Sequence, residues 1–344
     1  MSNGTGNEMA YDVVVVGGGT AGLSAALVLG RSRRRVLVVD AGEPRNAPAA
    51  HMQGYLSRDG MPPAEFLAEG RRELERYGVE VVRDRVSAVT PDGAGEFGVT
   101  LADGGEVHAR RIVMATGLVD ELPAVPGLAE RWGHDVLHCP YCHGWEVRDE
   151  PFGVLASEPF NSHQALLVTQ WSKDVTLFLH TVRDLPDAEW ERLAAAGVQV
   201  VEGEVAGLSV EDDRLAGVRL ADGRIFPRSV LFVAAKMVPR DGLLTGLGAE
   251  FRDTPVGAYP KVDETGRTSV PGVWAVGNAA SPMEQVINAA SMGYRAGSMI
   301  NAELVMADIE AEVARRRAGV FTPLAEAEVA RVAAGPRTHE LVAD

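Results

Sequence analysis

Tyr11–Asp40, YDVVVVGGGTAGLSAALVLGRSRRRVLVVD, packs a strand, a glycine turn, a helix and a second strand into thirty residues. Val13–Val16 is a β-branched run suited to a strand covered on both faces, and the Ala/Leu pattern after Thr20 reads as a helix packed on it. Val36–Val39 repeats the apolar run and closes on Asp40. Within this βαβ unit Gly17 permits the tight turn, Gly19 lets the backbone approach a pyrophosphate, and Gly22 lets the helix lie close to the strand. The helix N-terminus then faces the phosphates. Asp40 is placed to bind a ribose hydroxyl. Glycines alone would be a weak signal; strand, turn, helix, second strand and acid in this order predict a dinucleotide site.

The rest of the 344-residue chain exceeds what one hydrophobic core usually supports, so two domains are expected. No apolar run approaches the roughly 18 residues of a membrane span, so no membrane partner is expected. A net charge of −15 disfavours a phosphate backbone or an anionic membrane as partner. Met1–Ala10 lacks the basic and apolar segments of an export signal, which points to the cytoplasm. The chain has two cysteines, three apart, in His138-Cys139-Pro140-Tyr141-Cys142-His143. In a reducing compartment that spacing means redox or metal chemistry before a structural staple.

Further along, Ile112-Val113-Met114-Ala115-Thr116-Gly117 is an apolar strand closing on Ala-Thr-Gly. Pro271–Gly277 (PGVWAVG) is another, followed by Asn278, and Gln285-Val286 opens an Ala/Gly-rich helix. Together these segments resemble the motifs that complete the FAD domain of two-dinucleotide flavoprotein disulfide reductases. Over roughly residues 11 to 305, the order of motifs resembles the low-molecular-weight thioredoxin reductases. The resemblance implies an α/β chain of two Rossmann-like domains, FAD as cofactor, and a homodimer. It places the FAD domain at 1–118 and 240–344, with a central domain at 119–239 inserted between crossovers near Leu118–Pro123 and Val233–Pro239. Thr116, Gly117, Gly277, Asn278, Gln285 and Val286 join Gly17, Gly19, Gly22 and Asp40 as expected cofactor-binding residues. In that family the second motif ends Gly-Asp, the acid binding the flavin's ribityl chain; Asn278 departs from it, though an amide can still bond a hydroxyl. The helix beginning near Gln285 is implied to point at the isoalloxazine, where its N-terminus would stabilise negative charge.

Two cysteines separated by two residues at a helix start can close a small disulfide, and a helix dipole stabilises a thiolate. By resemblance, Cys142 lies under the flavin and passes electrons to it, whereas Cys139 exchanges with the substrate. His143 stands where the family carries an acid and is the expected acid/base, with His138 as a second candidate. The residues alone leave other readings open. Cys139–His143 fits the attachment pattern of c-type haem, which needs export. Four Cys and His ligands within six residues could in principle bind zinc, but cannot easily reach a tetrahedron. Two inert buried cysteines are a third possibility.

A thioredoxin reductase carries a second glycine motif and a basic cluster for the 2′-phosphate of NADPH. Here the strand Phe152–Ala156 is followed by Ser157-Glu158-Pro159-Phe160-Asn161-Ser162, a helix from His163, and a strand ending His180-Thr181-Val182-Arg183-Asp184. Side chains at the glycine positions would block the pyrophosphate, Glu158 would repel it, and one arginine beside an acid is no basic cluster. The central domain therefore reads as a nucleotide-binding fold without its nucleotide. Electrons must then run from a small dithiol to the disulfide, to FAD, and to an acceptor such as O2, giving hydrogen peroxide. CPYCHG with a degraded second site resembles the flavoprotein dithiol oxidases of gliotoxin-type and holomycin-type antibiotic biosynthesis. The competing expectations are an NAD(P)H- or ferredoxin-dependent thioredoxin reductase and a flavin-binding redox sensor. His51 and Tyr55, in the loop 51–66, are minor pocket candidates. After Asn301 an Ala/Glu/Arg helix and a Pro-containing polar tail are expected, either a dimer or lid element or a frayed end.

Overall fold

The computed structural model describes residues 10–93, 95–158, 161–319, 327, 330 and 331. Pro159 and Phe160 in the altered turn, and the Pro-containing tail, lie outside them. Two units divide between Gly297 and Ser298.

In the first unit β1 (Ala10–Val16), α1 (Thr20–Arg31), β2 (Val36–Val39), α2 (Pro63–Glu75) and β3 (Glu80–Val82) form a parallel βαβαβ array. Val13, Val14 and Val15 of β1 have no exposed surface, as a strand covered on both faces requires. An antiparallel excursion through β4 (Val86–Pro91) and β5 (Phe97–Leu101) leads to β6 (Glu106–Met114), which returns beside β1 with Val16 opposite Met114.

The chain then leaves through β7 (Leu118–Glu121), a turn of helix α3 (Leu128–Arg131), β8 (Val136–Leu137) and α4 (Pro140–His143). A second array follows: β9 (Phe152–Leu155), α5 (Ser162–Val168), β10 (Val175–Phe178), α6 (Asp187–Ala195) and β11 (Gln199–Val201). An antiparallel excursion, β12 (Val205–Glu211), β13 (Arg214–Leu220) and β14 (Ile225–Pro227), leads to β15 (Val230–Val233), which returns beside β9. The second sheet has the order β11-β10-β9-β15-β8, all parallel. β16 (Lys236–Pro239) then pairs antiparallel with β7, Val238 opposite Val119, so the outgoing and returning strands form one two-stranded crossover.

After α7 (Gly242–Gly246) and the hairpin β17 (Phe251–Thr254) and β18 (Gly257–Pro260), β19 (Val273–Ala275) joins the first sheet beside β6. Its parallel portion is thus β3-β2-β1-β6-β19, the same arrangement as the second sheet. The chain is an α/β protein of two Rossmann-like arrays, as its sequence implies.

α8 (Val286–Gly319) completes the cofactor end of the first array through its residues up to Gly297. A Cβ at Gly293 would stand 2.0 Å from the Ala21 carbonyl oxygen, and the Ser24 hydroxyl donates to the Ala290 carbonyl at 2.7 Å. The Ala/Gly composition is therefore a packing device that brings the N-termini of α1 and α8 to one place. In the second unit the helix runs to Gly319, in agreement with the Ala/Glu/Arg reading.

Candidate active site

A cavity of about 1300 Å³ opens at the C-terminal ends of β1 and β2. It is larger than the roughly 300–1,000 Å³ of ordinary ligand pockets and suits an extended dinucleotide. Gly17, Gly19, Asp40, Thr116, Gly117, Gly277, Asn278, Gln285 and Val286 line it, and so do His138, Cys139, Cys142 and His143. Gly22 does not line it; a Cβ there would stand 1.9 Å from the Gly17 carbonyl oxygen, so its place is in the packing of α1 on the turn. Of the two minor candidates His51 lines the cavity, while Tyr55 stacks on Phe66 with ring centroids 5.4 Å apart.

The glycine turn has the geometry of a phosphate cradle. Gly17 has φ +108°, which disfavours side chains, and a Cβ at Gly19 would meet no protein atom within 4 Å. Gly19 is also the N-cap of α1 and supplies no side-chain cap, so the first amides of the helix are open to an anion. Asp40 Oδ1 accepts from the Gly18 and Gly42 amides at 3.1 and 3.2 Å, which orients the carboxylate at the rim of the turn. Thr116 spends its hydroxyl on the Arg240 carbonyl at 3.0 Å and ties the end of β6 to the returning crossover.

Asn278 explains its own departure from the acid expected there. Its Nδ2 lies 3.0 Å from the Ser281 carbonyl, 3.3 Å from that of Pro282 and 3.2 Å from that of Glu284, while its Oδ1 accepts from Arg45 at 3.3 Å. A carboxylate has no proton to offer three carbonyls. The amide thus holds the turn that delivers Gln285, which caps α8 by accepting from the Ala289 amide at 2.8 Å. Arg45 in turn grips Asp120 of β7 with two bonds of 2.7 Å, so one chain of contacts joins the crossover to the start of α8.

Cys139 and Cys142 form a disulfide with their Cα atoms 5.3 Å apart. Pro140 begins α4 behind Cys139, and the Cys142 amide donates to the Cys139 carbonyl at 3.2 Å. The helix extends only from Pro140 to His143. One turn carries little of a macrodipole, so the dipole stabilisation of a thiolate expected from the sequence is small here. The Gln285 carboxamide supplies polar contact in its place: Oε1 lies 3.2 Å from Cys142 Sγ, and Nε2 is 3.7 Å from Cys139 Sγ.

Both ring nitrogens of His143 are buried without a hydrogen-bond partner in the protein. Burial holds its pKa below the usual imidazole value; the Cys139 carbonyl, outside hydrogen-bonding geometry, and Glu146 pull weakly the other way. His143 is therefore a neutral base at pH 7 with nothing yet to bond. His138 is also depressed, by burial and then by Arg45, and its Nδ1 is 3.3 Å from the Val233 carbonyl. Gln164 of α5 donates to the His138 carbonyl at 2.8 Å, buttressing the residue before the disulfide.

In the second array the described residues of the altered turn bond to one another. Asn161 is 1% exposed, and its Oδ1 accepts from the Ser157 and Glu158 amides at 2.9 and 2.8 Å. The Ser162 hydroxyl donates to Glu189 at 2.8 Å. The Ser157 and Glu158 amides at the head of this turn are thus already bonded. At the end of β10, His180 accepts from the Val205 amide at 3.0 Å, and Asp184 accepts from the Leu185 amide at 2.8 Å. Among the described residues no cluster of three or more His, Cys, Asp or Glu could hold a metal ion, and no helix is long and apolar enough to cross a membrane.

The pyridine nucleotide-disulphide oxidoreductase family model matches residues 11–293. "Thioredoxin reductase sirT" of Leptosphaeria maculans is 32% identical over 317 residues, covering 88% of this chain and 96% of that protein. The crystal structure of HlmI shares 51% identity with a TM-score of 0.87, over 90% of this chain and 98% of its own. An oxidoreductase from Agrobacterium tumefaciens superposes with a TM-score of 0.82 at 37% identity, over 87% of this chain and 99% of its own. With two Rossmann-like arrays, a Cys139–Cys142 disulfide lining the cavity and these relatives, the chain is thioredoxin reductase-like and belongs to the pyridine nucleotide-disulphide oxidoreductase family.

Proposed function

We propose that the protein is an FAD-dependent dithiol oxidase that closes a disulfide in a small dithiol, with O2 as acceptor and hydrogen peroxide as product. The observation that carries this reading is the second array, where Asn161 occupies the amides that a nicotinamide dinucleotide would need. Electrons therefore enter at the disulfide. The cavity fits FAD: the Gly17–Gly19 turn and the α1 N-terminus would hold the pyrophosphate and Asp40 a ribose hydroxyl. Thr116, Gly117, Gly277, Asn278, Gln285 and Val286 would surround the flavin half. Bound FAD would accept the electron pair of the reduced cysteines and pass it to oxygen.

The chain's own residues do the sulfur chemistry. A substrate thiolate attacks Cys139 Sγ, and the Cys139–Cys142 bond breaks with its electron pair on Cys142. The second substrate thiolate attacks the substrate sulfur of that mixed disulfide, which closes the product and releases Cys139 as thiolate. His143, neutral and unpartnered beside the pair, takes the proton of the incoming thiol, with His138 as the second candidate. With domains at 1–118 with 240–344, and at 119–239, the two sides of this site would belong to different domains. A cytoplasmic homodimer fits the reading. In the second unit Met299, Met306, Ile309 and Val313 leave an exposed apolar face on the helix, which a second copy would cover.

The relatives named thioredoxin reductase favour a second reading, a thioredoxin-disulfide reductase driven by NAD(P)H or ferredoxin. Purified yellow enzyme, given a panel of reduced dithiols in an oxygen electrode, should consume one O2 and yield one peroxide per disulfide closed. Absence of oxygen uptake with every dithiol, together with turnover on thioredoxin and NADPH, would select the reductase.

A further inference from the structure

The Gln285 side chain is turned away from any helix-capping role and lies against both sulfurs, its oxygen toward Cys142 and its nitrogen toward Cys139. The turn held by Asn278 fixes its backbone, and the Ala289 amide bonds its carbonyl, so the carboxamide is delivered to the sulfurs from a rigid base. In the disulfide neither sulfur has a proton, and the 3.2 Å approach of Oε1 to Cys142 Sγ is a contact and not a hydrogen bond. Two electrons from the substrate and one proton, the one His143 took from the incoming thiol, convert the bond to one thiol and one thiolate and leave His143 neutral again. The two ends of the carboxamide then distinguish the sulfurs: an N–H bonds a thiolate more strongly than a thiol, and a carbonyl oxygen can only accept from S–H.

We propose that the Gln285 carboxamide sorts charge within the reduced pair, holding the thiolate on Cys139 and the remaining proton on Cys142. This rests on the reading of Cys139–Cys142 as the redox pair and holds whichever acceptor takes the electrons. Its chemical consequence is directional. Cys139, the sulfur that must depart when the substrate closes its own disulfide, becomes the better leaving group. The proton on Cys142 must leave before the electron pair can leave that sulfur, and neutral His143 lies beside it without another partner. Among the described residues, His138, His143, Arg45, Asp120 and Glu284 are charged or titratable groups that line the same cavity as the pair. The Gln285 carboxamide approaches both sulfurs.

Single-cysteine proteins test this without turnover. In the flavin-loaded Cys142→Ser and Cys139→Ser proteins, the rate of iodoacetamide alkylation against pH reports the ionisation of the remaining thiol. The introduced hydroxyl keeps a polar group facing the carboxamide. Cys139 should titrate about one unit below Cys142, the scale of one hydrogen bond to a charged group. Adding Gln285→Leu should raise the Cys139 value and close the gap; Gln285→Met, closer in shape, repeats the test if the leucine protein loses flavin. No gap, a gap indifferent to both substitutions, or Cys142 titrating lower would each overturn the proposal. A dithiol panel that gives no oxygen uptake while the gap appears and closes would sink the oxidase reading and leave this inference standing.

Discussion

Asn278→Asp exchanges one atom and restores the acid that the family carries at this point, yet the structure predicts that it harms this chain. Nδ2 has two N–H groups to distribute among the Ser281, Pro282 and Glu284 carbonyls. At about 1 kcal/mol net for each bond, their loss costs about 2 kcal/mol, and a carboxylate oxygen facing those carbonyls adds repulsion. Arg45 offsets little, because both its strong bonds already go to Asp120. Two kcal/mol corresponds to a fall in Tm of about 3 °C for a chain of this size. Differential scanning calorimetry of the apoprotein isolates the effect from any bond the new acid makes to cofactor. The turn also sets Gln285, so flavin reduction by dithiol in the loaded variant should slow as well. An apoprotein variant as stable as the parent, with unchanged flavin reduction, would refute the account of why an amide stands here.

Removing the proposed base by His143→Ala should lower dithiol oxidation by about 10² to 10⁴, read as kcat/KM across pH. The acidic limb of the parent should lie below about 6.5, since burial favours the neutral ring, and it should vanish in the variant. Unchanged rates would return the role to His138. His138, His143 and His180 are all held low by burial. Their contribution to stability is complete above the unfolded value near 6.5 and is lost as pH falls toward the depressed folded values. Tm should thus drop between pH 7 and pH 5, and His180→Asn, which can still accept from the Val205 amide, should flatten that slope; an equal slope would contradict it. Cys142→Ser should abolish flavin reduction by dithiol, whereas Cys139→Ser should show a long-wavelength charge-transfer band at alkaline pH. Exchanged phenotypes would reverse the two roles. Glycine at both Glu158 and Asn161 should not restore nicotinamide use, because Arg183 beside Asp184 still offers no basic cluster; NADPH oxidation by the double variant would show otherwise.

The features legible in the sequence are those whose physics is local. A β-branched run, a glycine turn and a helix declare a βαβ unit within thirty residues, and the side chains replacing the second set of glycines declare a changed turn just as directly. The vicinal cysteines needed only their spacing. What escaped depends on chain segments far apart. Arg45 meets Asp120 across 75 positions, and Gln164 meets the His138 carbonyl across 26. The Gln285 carboxamide reaches Cys142 across 143 positions, while sequence reading assigned that residue to the flavin alone. That Asn161 would bond the Ser157 and Glu158 amides could not be foreseen, since a polar residue in an altered turn has many partners open to it. The single turn of α4 was hidden for another reason: Gly144 and Trp145 allow a helix to continue, and the Gly144 amide bonds back to Pro140 at 2.7 Å, but the following residues go on as turns, the Glu146 amide bonding the His143 carbonyl at 3.1 Å.

The direction of electron flow is the centre of the account, and anaerobic stopped-flow absorbance of the flavin tests it most directly. A reduced small dithiol should bleach the oxidised flavin through Cys139 and Cys142, and admitted oxygen should restore the colour with one peroxide per cycle. NADPH and NADH should leave the spectrum unchanged, because Asn161 holds the Ser157 and Glu158 amides. Bleaching by micromolar NADPH in the unmodified protein would contradict the account and assign the chain to the reductases.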